Sequence, residues 1–246
     1  QPDVVFHLAS TPFNPPTISA QTHLETIVTG TLNLLEALKA SPETRLIAAG
    51  SAAEYGSGNG LREEQPLRPT TVLGAAKASA GLLMQTYATL YQLRTTLLRI
   101  FTPYGSWERS GRLIPYAILS ALDRRDVQLT SGEQQRDYFY IDDLVEAFLL
   151  AAERPLPPGT VLNVCSGTAV TVREVVERVL TLMDHPVRAV PGVVELRESH
   201  PAGARDDLLG ADGQALGEAR VGHKELQLGD KGAEADGIAG TFLAQD

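Results

Sequence analysis

Read for the spacing of its apolar positions, the chain alternates between short continuous runs and longer stretches with a three-and-four repeat. Val4-Val5-Phe6-His7-Leu8-Ala9 is the first run, of strand length and apolar on both faces, as in a buried parallel strand. Leu24, Ile27, Val28, Leu32, Leu35 and Leu38 then recur at helical spacing. Leu46-Ile47-Ala48-Ala49 predicts a second strand, ending at Gly50-Ser51. From Leu73 the positions Ala76, Ala80, Leu83, Met84, Tyr87, Leu90 and Tyr91 mark one face of a long helix, and Thr95 to Phe101 predicts a third strand. Strands alternating with helices in this way predict an α/β fold with a parallel sheet built from crossover connections.

Ser10 to Ala20 and Gly56 to Pro69 carry proline, glycine and hydroxyl residues and read as loops. Further on, Leu113 to Leu122 predicts a helix, Val127 to Leu129 a short strand and Val161 to Val164 another. Tyr138-Phe139-Tyr140-Ile141 precedes Asp142-Asp143, placed to cap a helix from Leu144 to Ala152. Thr171 opens a helix to Met183, with Glu174 in the capping-box position. From about Gly203 glycine, alanine and acidic residues dominate, a composition compatible with weak helix and with an unstructured tail.

Composition narrows the function classes. The 246 residues suffice for one large domain or two small ones, with 43% hydrophobic and 21% charged residues. A formal net charge of −9 argues against a surface for nucleic acid or anionic membrane. Cys165 is the only cysteine, which excludes a disulfide framework and a cysteine-rich metal site and fits a cytoplasmic location. His23, His185, His200 and His223 show no metal-ligand spacing, so no metal is expected. No apolar run approaches the ~18 residues of a spanning helix. The chain opens directly into a strand, with no initiating Met, and is expected to lack whatever preceded that strand.

Candidate chemistry gathers at strand ends. Ser51 closes the second strand, and ligands in open α/β sheets bind at the carboxyl ends of strands. Lys77 stands four residues after Leu73, on the same helical face. Arg136 lies in Gly132-Glu133-Gln134-Gln135-Arg136-Asp137-Tyr138-Phe139-Tyr140-Ile141-Asp142-Asp143, and its fork of N–H donors suits phosphate oxygens. Each has a plainer reading: a turn serine, a solvated lysine, a surface Arg–Asp pair. His7, at the end of a buried strand, reads as a satisfied core histidine.

Taken together, Gly50-Ser51-Ala52-Ala53-Glu54-Tyr55-Gly56, Pro69 to Lys77, Arg99-Ile100-Phe101-Thr102-Pro103-Tyr104-Gly105, Arg112 to Tyr116 and Gly132 to Asp143 resemble the extended short-chain dehydrogenase/reductase family, the NAD-dependent epimerases and dehydratases of nucleotide sugars. The resemblance implies a Rossmann-like, doubly wound parallel sheet, N-terminally incomplete, with a small discontinuous C-terminal substrate portion. Its divisions would be a core over 1–105 missing its first strands, a substrate-binding insertion over 106–135, a return to the core over 136–168 and a C-terminal substrate portion over 169–246. It implies NAD or NADP as cofactor, lined by Leu8, Ala9, Ser10, Ser51, Lys77 and Phe101, and a nucleotide-diphosphate sugar held by Thr102, Arg112, Leu113 and Arg136. Ser51 and Lys77 would be the catalytic pair. Family habit adds a homodimer through a four-helix interface of Leu24 to Ala40 and Leu73 to Tyr91, without nucleic-acid or membrane partners.

The departures are specific. Leu73 stands at the position of the family's catalytic tyrosine, Ile27 at that of a relay asparagine and Thr102 at that of a second asparagine. Ala52-Ala53 replace the Asp-Glu of dehydratases, so epimerase or 4-keto reductase chemistry is favoured over 4,6-dehydration. No glycine-rich dinucleotide loop occurs in these residues. Two functions are compatible with this. One is an NAD(P)-dependent oxidoreductase moving hydride at a sugar carbon, chiefly C4, with Tyr55 or Tyr104 standing in for the tyrosine. The other is a catalytically inactive nucleotide-sugar-binding paralogue or truncated fragment.

Overall fold

Four strands pair in parallel at the centre of the chain, in the order β1-β2-β3-β7. They are β1 (Val4–His7), β2 (Arg45–Ala49), β3 (Thr95–Ile100) and β7 (Thr160–Val164). The computed structural model describes residues 2–12, 18–184 and 186–191; the expectations for 13–17 and for the stretch from Gly203 lie outside them. Two units divide the chain: Gln1–Pro103 with Asp142–Gly167, and Tyr104–Ile141 with the residues from Thr168 onward.

In the first unit the apolar runs become the sheet because β2 and β3 each pair with a strand on both sides. Leu46 pairs with Val5 and Thr95, and Ala48 with His7 and Leu97. Leu46, Ile47, Leu97 and Leu98 are buried, and a leucine so enclosed contributes roughly 1.5–3 kcal/mol. The expected first strand is shorter than its apolar run: Leu8 and Ala9 have left the sheet and are exposed.

The first helical stretch is continuous but irregular. A short α1 (Ala20–His23), capped by Ser19, passes into a π-helical segment (Leu24–Thr29) and then α2 (Gly30–Leu38). π-Helical turns are rare and favour functional sites. After β2, a 3₁₀ turn (Ala52–Glu54) leads through the loop to α3 (Val72–Tyr91). Thr71 caps α3 by accepting the Gly74 N–H, and Gln92 ends it in a left-handed conformation. Leu35, Leu38, Met84 and Leu93 pack with Leu46, Ala48 and Leu97 into one core cluster.

The second unit contains α4 (Leu113–Leu122) and α6 (Val172–Leu182), whose residues Ala117, Ala121, Val175, Val176 and Val179 share a core with Val127 and Leu129. Short strands flank them: β4 (Thr102–Tyr104), β6 (Gln135–Tyr140) and β8 (Ala169–Thr171) form one sheet, β5 (Val127–Gln128) and β9 (Ala189–Val190) another. The Thr171–Glu174 capping box forms as expected. The Asp142-Asp143 cap does not. The following helix, α5 (Ile141–Glu153), starts earlier, which puts both carboxylates inside its first turn, where the helix dipole favours them. No described helix is long and apolar enough to cross a membrane.

One close approach fixes where α3 begins. A Cβ on Gly74 would lie 2.5 Å from the Ala53 carbonyl oxygen, so only glycine lets the helix start press against the 3₁₀ turn. Gly74→Ala is expected to lower stability by roughly 1–3 kcal/mol in urea denaturation. Gly111→Ala, with nothing within 4 Å of its Cβ, should stay within about 0.5 kcal/mol of the unsubstituted chain.

Candidate functional site

β1 runs out into Leu8-Ala9-Ser10, β2 into Gly50-Ser51 and β3 into Phe101-Thr102. The three strands are parallel neighbours, so these residues share the end of the sheet at which open α/β folds take their ligands. Lys77 joins them from α3: its Nζ donates to the Ala49 carbonyl at 2.7 Å, one residue short of Gly50-Ser51. The remaining N–H donors of Lys77 find no acceptor among the described residues.

Ser51 is extended (φ −156°) and half-buried. Its Oγ accepts the Ala53 N–H at 3.1 Å, and its hydroxyl hydrogen has no acceptor among the described residues. A ligand oxygen could therefore take that hydrogen. Lys77 is 8% exposed. Burial holds its pKa below the ordinary lysine value, and the Glu54 carboxylate partly opposes this. A small cavity touches the lysine, lined also by His7, Ala9, Ile27, Thr31 and Ala49.

His7 is a satisfied residue, as expected. The Thr31 hydroxyl donates to the Ile27 carbonyl at 2.6 Å, so its oxygen accepts from His7 Nε2 at 3.0 Å; this assigns the ring proton to Nε2. Burial, then the charge of Lys77, lowers the pKa of His7.

Leu73 is 6% exposed and packs with Ile27, Ala76 and Ala80. Leu73 and Ile27 thus meet in one apolar cluster. Neither expected stand-in is available as a proton donor. Tyr55 is 3% exposed; its hydroxyl donates to Asn163 Oδ1 at 2.8 Å and accepts from Arg99 Nη1 at 2.8 Å. Burial raises its pKa against the pull of Arg99. Tyr104 belongs to the core of the second unit, edge-on to Tyr140 with ring centroids 5.5 Å apart. The expectation that either tyrosine replaces the missing one is corrected, because one is spent on a hydrogen-bond network and the other on packing.

In the second unit, Arg112 precedes α4, Leu113 begins it and Arg136 lies on β6. Arg112 Nε pairs with Glu108 Oε1 at 2.9 Å, and Arg136 Nη1 donates to the Gln135 carbonyl at 2.8 Å. Both arginines act on Tyr138: burial raises its pKa, and the two guanidinium charges pull it down. The guanidinium forks of these arginines suit phosphate oxygens.

The residues that sequence reasoning missed lie beneath Ser51. Glu54 is fully buried, its Oε2 accepting Arg99 Nε at 2.8 Å and its Oε1 accepting the Ser51 N–H at 2.8 Å. Arg99 Nη1 also donates to the Glu63 carbonyl, and the guanidinium lies 4.7 Å from the centroid of the Tyr55 ring. Asn163 donates its backbone N–H to Glu63 Oε1 at 2.7 Å. The Ser-x-x-Glu spacing was a capping-box signal that could have disclosed Glu54. A roomier cavity, about 520 Å³, opens among Asp3, Glu43, Arg45, Arg94 and Arg154. It lies at the amino ends of the strands, away from the residues just described.

Residues 1–165 match the NAD dependent epimerase/dehydratase family. The chain belongs to this family. It is 30% identical over 176 residues to a UDP-glucose 4-epimerase of Corynebacterium glutamicum, covering 64% of this chain and 54% of that one. Among solved structures, MoeE5 in complex with UDP-glucuronic acid and NAD superposes with a TM-score of 0.71 at 30% identity, over 77% of this chain and 65% of that one. A UDP-N-acetylglucosamine 4-epimerase from Methanobrevibacter ruminantium M1, in complex with UDP-N-acetylmuramic acid, gives 0.72 at 26% identity, over 77% and 64%. The α/β fold with its parallel sheet is that of these epimerase structures. The chain spans about half the length of the curated relatives it matches.

Lys77 supplies a direct test of how the site trades against stability. Its folded pKa is depressed, so the unfolded chain binds the proton more tightly and the charged lysine costs stability below the folded pKa. That loss is recovered as pH rises from the folded pKa toward the ordinary value of 10.5. Lys77→Met is expected to melt at or above the wild-type temperature at pH 7, with the difference shrinking toward pH 10.5 in thermal scans.

Proposed function

We propose that this chain is a nucleotide-sugar- and NAD(P)-binding member of the epimerase/dehydratase family in which tyrosine-borne proton transfer has been closed. The observation that carries the reading is the buried contact between Leu73 and Ile27, which leaves no ionisable group where the relay would run. Ser51 would hold a sugar oxygen through its unengaged hydroxyl hydrogen. Lys77 would hold the nicotinamide ribose with its spare N–H donors, and Leu8, Ala9, Ser10 and Phe101 would line the same end of the sheet. In the second unit, Arg112 and Arg136 carry guanidinium forks suited to phosphate oxygens.

These residues fit the nicotinamide half of the cofactor in their chemistry, with a buried amine at Lys77 and a half-buried hydroxyl at Ser51. They contain no glycine-rich turn for the pyrophosphate. When bound, the nicotinamide supplies a hydride donor or acceptor. The chain's own contribution is to hold the sugar, exclude water at Leu73 and keep Lys77 charged. Ala52 and Ala53 carry no acid or base, which supports epimerase or reductase ancestry over dehydration.

A second reading, slow hydride transfer at a sugar carbon such as C4, draws on Ser51 and Lys77, which both keep unused donors at the strand ends. Rapid mixing with NAD and UDP-glucose separates the two. The expected result is UDP and NAD binding by calorimetry with no single-turnover cofactor reduction, and a gain of about 10²–10⁴ in rate for Ile27→Asn with Leu73→Tyr. Wild-type reduction as fast as that of the double variant would overturn the binding reading.

The family's four-helix dimer is supported by apolar side chains left on α3, with Leu82 56% and Leu90 66% exposed. Leu82→Glu with Leu90→Glu is expected to convert a dimer into a monomer in light scattering, without lowering the melting temperature by more than a few degrees.

A further inference from the structure

Gly50 separates the two peptide groups that the site's charges hold. On one side the Ala49 carbonyl accepts from Lys77 Nζ at 2.7 Å; on the other the Ser51 N–H donates to Glu54 Oε1 at 2.8 Å. Room for the carboxylate is cleared by Gly50, where a Cβ would lie 2.7 Å from Glu54 Oε1. The second oxygen is anchored by Arg99. No solvent reaches this carboxylate.

We infer that Glu54 is a positioning residue of the site: its carboxylate fixes Ser51 from one side of Gly50 while Lys77 fixes Ala49 from the other, so that hydroxyl and ammonium are presented as one clamped pair. The inference rests on the reading of this strand end as ligand-holding. It assigns a role to a group that touches neither sugar nor cofactor. An ammonium in a dry site needs a compensating negative charge. Leu73 supplies neither charge nor hydrogen bond.

The charged and titratable groups facing Lys77 are few. Glu54 acts from the turn after β2 and His7 from β1, while the π-helical segment presents Ile27, α2 Thr31, and α3 Ala80 and Met84. Glu54 is the anion among them. It favours the charged lysine, and burial disfavours it.

The test reads Lys77 itself, by side-chain NMR titration assigned with Lys77→Arg, together with hydrogen exchange at the Ser51 amide. Glu54→Gln keeps an acceptor for Ser51 but removes the charge, so Lys77 should titrate at a lower pH while the Ser51 amide stays protected. Because Glu54→Gln leaves Arg99 buried and unpaired, Glu54→Leu with Arg99→Leu is the second variant. It should lower the Lys77 midpoint and also release the Ser51 amide. Glu63→Gln, which loosens the same network at Asn163, should reduce stability without moving Lys77. An unchanged Lys77 midpoint in both Glu54 variants, or a Ser51 amide still protected in the Leu/Leu protein, overturns the role. These measurements need no ligand, so failure of UDP or NAD to bind the wild-type protein would count against the proposed function and not against this role.

Discussion

The buried ion pair between Glu54 and Arg99 is the constraint around which the ligand end of the sheet is arranged. Two opposite charges with almost no solvent exposure are stable together only when every remaining donor and acceptor is occupied. Here Arg99 fills its donors with Glu54, Tyr55 and the Glu63 carbonyl, and Glu54 turns its other oxygen to the Ser51 N–H. The consequence is geometric. Three strand ends and the loop at 61–63 are held by groups that cannot relax into water, and Ser51 inherits its extended backbone from that arrangement. Loss of one partner would leave an uncompensated buried charge, a cost of about 3–5 kcal/mol.

Above this rigid base Ile27 and Leu73 meet in an apolar cluster, and apolar contact asks nothing of its surroundings beyond the exclusion of water. The Thr31 hydroxyl donates to the Ile27 carbonyl and thereby decides which nitrogen of His7 is protonated. A pocket of this kind can still bind by hydrogen bonds from Ser51 and Lys77, because binding requires donors in place and not a path for protons.

The parts of the fold that were legible in the sequence are those governed by burial on both faces. β2 and β3 appear as unbroken apolar runs because each has a paired strand on either side, and α3 shows its face through Ala76, Ala80 and Met84. Short strands such as β4, β8 and β9 carry too few residues for any period to emerge. The start of α5 was misplaced because Asp142-Asp143 suit a cap and a first turn alike. That Ser51 follows β2 and Lys77 lies on α3 was legible from the strand-then-helix pattern. Glu54 was not, since a glutamate in an Ala-Ala-Glu-Tyr stretch is usually solvated and only the three-dimensional approach of Arg99 removes it from water. Tyr55 was misread for the same reason: its hydroxyl partners, Asn163 and Arg99, are more than forty residues distant.

Lys77 makes the remaining argument. An ammonium at 8% exposure, donating to one backbone carbonyl, is a poor choice for stability; methionine fills such a space without a desolvation cost. A chain required only to fold would have no physical reason to hold it there, or to clear Gly50 for the carboxylate that sustains it. Buried charges kept against their own solvation are the mark of a site arranged for a ligand. Lys77 on the Ala49 carbonyl and Glu54 on the Ser51 N–H hold the two sides of Gly50, at the strand end where binding is proposed.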